Sequence, residues 1–547
     1  MALATEMAKS MKRSALLSRY GAILMGFVRL QSDIFRSIRA YKITFKIMLP
    51  PSPKRGKTVL LAGSVGMNPD NFLQHLLGMG LDSIGANVYV LSCDGILKAC
   101  FNCKFQHYQS RYLRAALARS GPGLMCRLCR SKGRRYLKNS ELQNLQLSEY
   151  ICNEDLIEAK RLSEDCLTVD DIRQCVDRGV NVGEHAHAGV IRFFAAPDLE
   201  KEEDGVELAQ AYLYSSILAS RATTRLFETL KFDAVVLDHG IYVPQGVIAE
   251  ISLSRGISTH TFATGYRKHS FIFANGGSYH YVIPQLGEGV LTHITKEQKQ
   301  IAKEYVESRT SGKNDWVLFQ EKTRAISESE FGVMAGKKNV AIFTNVLWDA
   351  QIHFGDAIFP DSLTWLCETI EFLRHETDVN VILRIHPGEI KGFVKSRVGV
   401  EEKLRERLSE DTLRWLTIIS ANSPVNSYEL ARRVDFSVVD GSKIGIDLCA
   451  LGLPVVVGGD CWTKGKGISI DAKTKVEYFG NLERGLSQGF NDVDQERALA
   501  FAYFIYFDRM KEIPFVNKVA GDPPFALAPK PVDSDINDFS LLVEELL

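Results

Sequence analysis

Short continuous apolar runs alternate along this chain with longer segments in which apolar residues recur every three or four positions. The short runs, bounded by glycine or polar turns, are typical of buried strands in a parallel sheet, and the longer segments predict amphipathic helices. Strands that alternate with helices in two successive series predict two doubly wound, Rossmann-like α/β domains facing a central cleft. The predicted strands cover residues 58–62, 87–91, 234–237 and 257–263 in the first series, and 339–343, 379–385, 436–439 and 454–457 in the second.

The first predicted strand is followed by a glycine turn and the start of a helix. Gly63-Ser-Val-Gly66 precedes Asn68 and Pro69, which suit the N-cap and the first position of a helix. We predict that this helix ends at Gly78 or Gly80. The unit is typical of Rossmann-like domains, although its turn lacks the complete GxGxxG fingerprint of a dinucleotide site.

Shifts in composition divide the chain into segments. Residues 140–230 are predicted to be mostly helical, the polar stretch 308–338 to join the two halves, and residues 495–511 to form the last helix. The predicted segments are 1–56, 57–335 with a cysteine-rich insertion at 93–135 and a helical insertion, 336–490, and 491–547.

The chain has 547 residues, of which 66 are basic and 66 are acidic. This length, with 45% hydrophobic residues, indicates a multidomain globular protein and excludes a disordered chain or a disulfide miniprotein. No apolar run is long enough for a multi-span membrane protein. The balanced charge hides an asymmetry, because residues 1–57 carry twelve basic and two acidic residues. A basic head on an acidic body is informative about partners rather than about the fold.

Within this basic head, the apolar positions of residues 14–48 are interrupted every few residues by basic ones. The pattern predicts an amphipathic helix that could lie on an anionic membrane surface. Packing of the same helix on the body, with its basic side chains in solvent, is the second interpretation, and a targeting peptide is the third. We therefore expect a cytoplasmic protein, either free or peripheral on the inner membrane face.

Five of the eleven cysteines lie between positions 93 and 129. Two of the spacings are CxxC, and two residues between thiolates let both meet one tetrahedral ion. The pattern predicts a structural zinc site with no open position for water, and reduced thiols, a disulfide or a cluster are the alternatives. The predicted ligands are Cys100, Cys103, Cys126 and Cys129.

The second half carries candidate anion-binding residues at predicted strand ends. Arg384 and His386 lie at the end of strand 379–385, where they could meet a phosphate or a ribose. The turn 442–445 enters a helix, and free N–H groups at the positive end of a helix dipole suit a phosphate, although such turns also serve only as caps. The polar loop before Tyr428 could bind a nucleotide or cap a helix.

The first half carries candidate catalytic residues. Asp238 and His239 follow the strand 234–237, and a carboxylate or an imidazole there can act as a general base toward a sugar hydroxyl. Glu184-His185-Ala-His187 is a further polar cluster, but residues two apart do not share a face of a helix, so a metal site is not favoured there.

Several of these motifs resemble the capsule polysaccharide biosynthesis glycosyltransferases, the GT-B group that includes bacterial Kdo transferases. The resemblance runs over most of residues 57–515. The chain departs from the family at Asp447, where Glu is frequent, and in its cysteine cluster and basic head. The resembling motifs are Arg384-Ile-His-Pro387, Asp440-Gly-Ser-Lys-Ile-Gly-Ile-Asp447, Leu453-Pro-Val-Val-Val-Gly-Gly459, Lys464-Gly-Lys-Gly467 and, on the acceptor side, Asp238-His-Gly-Ile-Tyr-Val-Pro-Gln245, Tyr266-Arg267 and Phe271-Ile-Phe273.

The resemblance implies a GT-B-like fold in which the first domain binds the acceptor, the second binds the nucleotide sugar, and the last helix crosses back to the first. It implies an inverting displacement without a catalytic metal, with Asp238 or His239 as the base. The implied donor ligands are Arg384, His386, Glu389, Ser423, Asn426, Ser427, Ser442, Lys443, Gly445 and Asp447. The implied acceptor ligands are Gly63, Ser64, Tyr242, Gln245, Tyr266 and Arg267.

We therefore expect a glycosyltransferase that moves a sugar from a nucleotide-sugar donor to a surface polysaccharide or a lipid-linked glycan. The expected partners are the donor, the glycan or lipid-linked acceptor and an anionic membrane surface contacted through residues 1–50, and no nucleic acid. The alternatives are a sugar-nucleotide epimerase or a CDP-polyol phosphotransferase on the same fold, and a non-catalytic scaffold that binds glycan or nucleotide.

Overall fold

A computed structural model describes residues 35, 37–49, 51–52, 56–63, 71–291, 294–316, 326–350, 358–392, 394–490, 493–518, 525–528 and 533–547. Two α/β halves, each built on its own sheet, make up most of the described chain. None of the described helices combines the length and the apolar content that crossing a membrane would need.

The sheet of the N-terminal half contains β1 Thr58–Leu61, β2 Asn87–Ser92, β3 Gln143–Gln146, β4 Ala234–Asp238, β5 Ser258–Thr264 and β6 Ser270–Asn275. These strands lie in the order β3-β2-β1-β4-β5-β6, and only β6 is antiparallel to its neighbour β5. The helices of this half are α1 (residues 37–48), α2 Asn71–Ser83, α3 Arg111–Ser120, α4 Leu124–Ser140, α5 Asn153–Asp165, α6 Val169–Arg173, α7 Val182–Phe194, α8 Gly205–Thr229, α9 Gln245–Ser254, α10 Tyr279–Gln285 and α11 Lys296–Arg309.

The sheet of the C-terminal half contains β7 Lys338–Phe343, β8 Val379–Arg384, β9 Thr417–Ile419, β10 Phe436–Val439 and β11 Val455–Val457. All five strands are parallel, in the order β9-β8-β7-β10-β11. The helices of this half are α12 Ser362–Arg374, α13 Gly388–Lys391, α14 Val400–Arg407, α15 Glu410–Trp415, α16 Ser427–Ala431, α17 Ile444–Ala450 and α18 Lys475–Ser487.

The chain then returns to the N-terminal half. Helix α19, Gln495–Tyr503, continues through a π-helical turn at Phe504–Arg509 into β12, Met510–Glu512, which pairs antiparallel with β6. A hairpin and a terminal helix follow, namely β13 Val516–Lys518, β14 Phe525–Leu527 and α20 Asp533–Glu545.

This architecture confirms the two doubly wound, Rossmann-like domains of a GT-B-like fold. In both sheets the direction of strand addition reverses beside the first strand, between β1 and β4 in one half and between β7 and β10 in the other. The crevice at such a reversal, beyond the carboxyl ends of the strands, is where open α/β sheets bind ligands. The returning segment also agrees with the predicted crossing of the chain.

Two predicted helix ends were wrong. Helix α2 continues past Gly78 and Gly80 to Ser83, because both glycines are sites of close packing rather than caps. The turn is made by Gly85, whose φ of 100° suits glycine alone. The helix predicted as the last one ends at Tyr503 and gives way to a π-helical turn, and α20 follows it.

The described part of the basic head is packed against the body. Helix α1 buries Phe45, which stacks on Phe539 of α20 with ring centroids 4.8 Å apart. The hydroxyl of Tyr41 donates to the carbonyl oxygen of Ala528 at 2.9 Å. Residues 35 and 37–49 therefore follow the packing interpretation. Residues 1–34 and 36 lie outside the described residues, so membrane contact stays a prediction.

Candidate functional site

The two halves enclose a cleft with a volume of about 880 Å³. Its walls come from the carboxyl ends of strands in both sheets. The N-terminal half contributes His239 after β4, and the C-terminal half contributes His386 after β8 and the turn 440–443 after β10. The cleft therefore lies where the strand order of both sheets predicts a ligand.

Three histidines surround one lysine in this cleft. The rings of His239 and His280 are stacked with centroids 6.3 Å apart, and His386 faces them from the other half. Lys443 lies close enough to all three for its charge to disfavour their protonation. Its ammonium group sits 4.8 Å from the ring centroid of Trp462 and 4.9 Å from that of Tyr266.

His386 is held in one tautomer. The backbone N–H of Gly388 donates to Nδ1 at 2.9 Å, so the proton of the neutral ring is on Nε2. Burial, followed by the charges of Arg384 and Lys443, lowers the pKa of His386 to about 4. His386 is thus a neutral hydrogen-bond donor at pH 7, and Thr344 fixes its backbone by accepting its N–H at 3.0 Å.

His239 occupies a position of backbone strain. Its φ is 62°, in the left-handed region that is uncommon for residues other than glycine, and strain of this kind is concentrated at functional sites. The ring packs on Phe101 and Tyr242, with centroid distances of 5.6 and 5.4 Å. Burial is the main cause of a lowered pKa, reinforced by the charges of Arg192 and Lys443 and opposed by Asp349. The imidazole is therefore neutral at pH 7 and able to accept a proton.

Asp238, the other candidate base, lies behind the cleft wall. Its side chain is buried and accepts a hydrogen bond from Gln245 Nε2 at 3.2 Å. Gly63 lies against Asp238 as well, because a Cβ there would stand 2.8 Å from Asp238 Oδ1. The predicted acceptor residues Gly63 and Gln245 thus support Asp238 rather than line the cleft. Ser64 lies outside the described residues.

Arg384 organises the loop that follows β9. Its guanidinium donates to the carbonyl oxygens of Ser420, Ile385 and Ser423 and to Ser427 Oγ, at 2.5, 3.2, 3.4 and 3.4 Å. Burial lowers the pKa of Arg384 to about 10, which leaves it charged at pH 7. Arg384 and Ser427 line the cleft, so this buried positive charge contributes to its potential.

Three of the residues predicted to bind the nucleotide-sugar donor have local structural partners instead. Asn426 caps α16, accepting from the N–H groups of Tyr428 and Glu429 at 2.9 and 3.2 Å. Ser423 Oγ accepts from the N–H of Val425 at 3.3 Å. Glu389 Oε1 accepts from the N–H of Val400 at 2.9 Å, and burial raises the pKa of Glu389 to about 7. The structure does not bring these three to the cleft wall.

The turn before α17 brings Ser442 and Lys443 into the cleft. The N–H groups of Gly445 and Ile446 already donate to the carbonyl oxygens of Ser442 and Lys443, both at 3.2 Å. The free helix N–H groups expected from the sequence are therefore partly used within the turn. The Lys443 side chain is the stronger candidate for contact with an anion.

Asp447 belongs to a buried network that joins three parts of the chain. Its carboxylate accepts hydrogen bonds from Tyr506 and Tyr428, at 2.6 and 2.8 Å, and lies 3.1 Å from Nε of Arg309. Arg309 ends α11 in the N-terminal half, and Tyr506 lies in the returning π-helical turn. Both carboxylate oxygen atoms of Asp447 thus have protein partners, although Asp447 borders the cleft.

The remaining residues predicted to bind the acceptor take different positions relative to the cleft. Tyr266 lines the cleft opposite Lys443. Tyr242 lies beneath His239, where its hydroxyl donates to Asp349 Oδ1 at 2.9 Å across the two halves. Arg267 faces away and donates to the carbonyl oxygens of Tyr506 and Met510, both at 3.1 Å, which ties the returning segment to the first sheet.

Several charged or aromatic residues of the cleft were not predicted from the sequence. They sit on helices α7 and α11, or in the loops that follow β7 and β11. In the same region His187 lines the cleft, whereas His185 is held by Glu250 at 3.0 Å. Among the unpredicted residues are Arg192, Arg309, Asp349 and Trp462.

The predicted zinc ligands lie outside this cleft. Cys100, Cys103, Cys126 and Cys129 line a separate small cavity, together with Cys93. In the described part of the chain, no three side chains of His, Cys, Asp or Glu are already arranged to hold a metal ion. Zinc at these thiols stays a prediction.

No protein-family model matches the sequence, and no curated protein matches it. Among solved structures, the chain is similar to the β Kdo 2,4 transferase KpsC of Thermosulfurimonas dismutans, with 14% identity and a TM-score of 0.35 over 56% of this chain and 87% of that one. It is also similar to the UDP-GlcNAc 2-epimerase of Neisseria meningitidis bound to UDP-GlcNAc, with 11% identity and a TM-score of 0.27 over 90% and 99% of the chains. The glycosyltransferase SnogD of Streptomyces nogalater shares 12% identity and a TM-score of 0.22 over 82% and 94%.

Proposed function

We propose that this protein is a glycosyltransferase that moves a sugar from a nucleotide-sugar donor to a hydroxyl group of a glycan or lipid-linked acceptor. The observation that carries the proposal is the arrangement of His239, His280 and His386 around Lys443 in a cleft between two Rossmann-like halves. One wall of this arrangement offers positive charge and a fixed N–H donor, and the other offers a neutral base.

The C-terminal wall suits the diphosphate of the donor. Lys443 packs against aromatic rings, and Arg384 donates to carbonyl and hydroxyl oxygens, so in the described chain neither cation is neutralised by an ion pair. A desolvated positive charge favours an anionic ligand. The Nε2–H of His386 adds a directed hydrogen-bond donor beside them.

The N-terminal wall suits the acceptor hydroxyl. In the proposed step the acceptor oxygen attacks the anomeric carbon, and His239 takes the hydroxyl proton. The bond between the anomeric carbon and the phosphate oxygen breaks, and its electron pair leaves with the nucleotide. Lys443 and His386 stabilise the negative charge that develops on that oxygen. Attack from the face opposite the leaving group would invert the anomeric configuration.

The experiment measures nucleotide binding by the shift of the melting temperature. Wild-type protein is heated with UDP-, GDP-, CDP-, TDP- and CMP-linked sugars, and a ligand of the folded state raises the melting temperature. We expect one nucleotide class to do so. Lys443→Met should weaken its affinity about 10- to 100-fold, because a hydrogen bond to a charged group contributes about 1.5–3 kcal/mol.

Lys391→Met is the matched control, because Lys391 lines the same cleft at the exposed end of α13. His386→Gln, which keeps an N–H donor, should lose less affinity than His386→Ala. Equal loss in the two lysine variants, or no nucleotide bound at all, would contradict the proposal. Product analysis with the bound donor then separates transfer from epimerisation, which changes the sugar without an acceptor, and from transfer of a phosphate-linked polyol.

A further inference from the structure

Five cysteines that are spread over 37 positions of the sequence line one small cavity. The cavity has a volume of about 60 Å³ and lies below the carboxyl ends of β1 and β2, beside Gly63 and Gln245. This volume is enough for one ion and its ligands but not for a nucleotide or a sugar. The remaining six cysteines do not line it: Cys152, Cys166, Cys175, Cys367, Cys449 and Cys461.

The cysteines reach the cavity from two rigid segments. The thiols of Cys100 and Cys103 are hydrogen-bonded to each other in the turn that connects β2 to α3. Cys126 and Cys129 lie three residues apart in α4, which places them on one face of the helix. The side chain of Asn102 reaches from the turn to Cys129 Sγ at 3.9 Å, so the two CxxC pairs face each other.

A buried cation forms another part of the wall of the cysteine-lined cavity. Arg130 lines the cavity, and its Nη1 donates to the carbonyl oxygen of Asp94 at 2.8 Å. Its Nε is buried without a hydrogen-bond partner among the described residues. Cys126 lies beside it, since both side chains approach the same side of Gly95, at 3.3 and 3.4 Å from where a Cβ would stand. A guanidinium charge beside a thiol favours its thiolate form.

We propose that Cys100, Cys103, Cys126 and Cys129 bind one structural zinc ion, with Cys93 outside the ligand set. The proposal rests on the shared cavity, the facing CxxC pairs and the unpaired guanidinium N–H. On binding, the four thiols release their protons to solvent and form a tetrahedral site without an open position. Because the thiols do not yet converge as a ready-made ligand group, we expect rotation of their side chains to close the site.

The proposed ion would hold the floor of the cleft. Phe101 lies between two of the ligands, its N–H donates to the carbonyl oxygen of Val243 at 2.8 Å, and its ring packs on His239. Arg192 covers the other side of this ring, 4.1 Å from its centroid. Zinc would therefore position Phe101, and through it His239, without contact with either substrate.

The experiment measures metal content in the full chain purified without a histidine tag from zinc-supplemented medium. We expect about one zinc per chain. Cys100→Ser and Cys126→Ser should each lose most of it, whereas Cys93→Ser and the half-buried control Cys367→Ser should retain it. Loss in Cys93→Ser with retention in Cys126→Ser would overturn the ligand set. Wild-type protein with no metal, with iron, or with these cysteines in disulfides would overturn the zinc site.

A second measurement uses wild-type protein only, in case a serine variant does not fold. Alkylation of the native protein, followed by mass spectrometry, should spare the four proposed ligands until a chelator is added, while the exposed Cys152 reacts in both conditions. Equal protection with and without chelator would contradict the proposal. Neither readout depends on turnover, so a failure of this site and a failure of the proposed transferase are distinguishable.

Discussion

At the scale of single residues, burial decides which proton states the cleft offers. His280 and His386 have pKa values lowered by burial first and by neighbouring charges second, and the same causes act on His239. Imidazoles of this kind are neutral at pH 7, so one can donate through a fixed N–H while another accepts a proton. The positive charge beside these rings therefore comes from Lys443 rather than from the histidines.

His239→Gln should reduce turnover about 10²- to 10⁴-fold, the usual contribution of a general base, with little change in nucleotide affinity. The matched control is His187→Gln, because His187 lines the same cleft but is influenced by the charge of Arg173 and not by that of Lys443. Since a base works in its neutral form and burial lowers the pKa of His239 to about 4, kcat/KM should stay constant from about pH 8 to about pH 5 and fall below that. A fall already centred above pH 6.5, or equal activity in both variants, would contradict the assignment.

At the scale of elements, glycine serves close packing in one helix and is unconstrained in another. In α2, a Cβ at Gly80 would lie 2.8 Å from Phe539 Cε1 and 2.9 Å from Val543 Cγ1 of α20. In α18, Gly480 is exposed, and no atom lies within 4 Å of the corresponding position. Helix propensity favours alanine equally at both positions, so packing alone separates them.

Gly80→Ala should lower the free energy of unfolding by about 1–3 kcal/mol, because overpacking at the contact of α2 with α20 outweighs the gain in helix propensity. Gly480→Ala should raise it by up to about 1 kcal/mol. Denaturant unfolding of both variants beside the wild type measures the difference. The same sign in both variants would show that α20 does not pack on α2 as described.

At the scale of the whole molecule, charged groups connect the halves on both flanks of the cleft. On one flank Asp447 joins Arg309 and Tyr506, and on the other the nearly buried Lys403 pairs with Asp198 at 2.6 Å. A buried ion pair whose partner is removed leaves an uncompensated charge, which is more destabilising than loss of the contact itself. We therefore expect Asp447 to act in assembly rather than in ribose binding.

Asp447→Asn should lower the free energy of unfolding by about 3–5 kcal/mol, and Arg309→Met with Asp447→Leu should recover part of this loss. Asp460→Asn is the control, since Asp460 also lines the cleft but pairs with Lys464 in a partly exposed position. Denaturant unfolding and nucleotide binding are measured on the same samples. Unchanged stability with weaker nucleotide binding would show that Asp447 contacts the donor.

The sequence by itself located eight of the fourteen strands of the described chain, whereas β3, β6, β9 and the three short strands after α19 were not predicted. Apolar runs located β1, β4, β7, β8 and β10 to within a residue or two, because a strand buried on both faces is apolar along most of its length. It also placed His239, His386 and Lys443 in the cleft, because the carboxyl ends of parallel strands meet at one edge of a sheet.

Only the tertiary structure decided what each polar side chain contacts. Asn426 and Asp447 have the residue types and positions of ligands, yet their atoms meet a helix N-terminus and a buried arginine from the other half. Arg192 and Asp349 reach the cleft from segments without any motif. Local patterns reflect burial and backbone preference, whereas hydrogen bonds between residues distant in sequence depend on how the two halves pack, which no local pattern encodes.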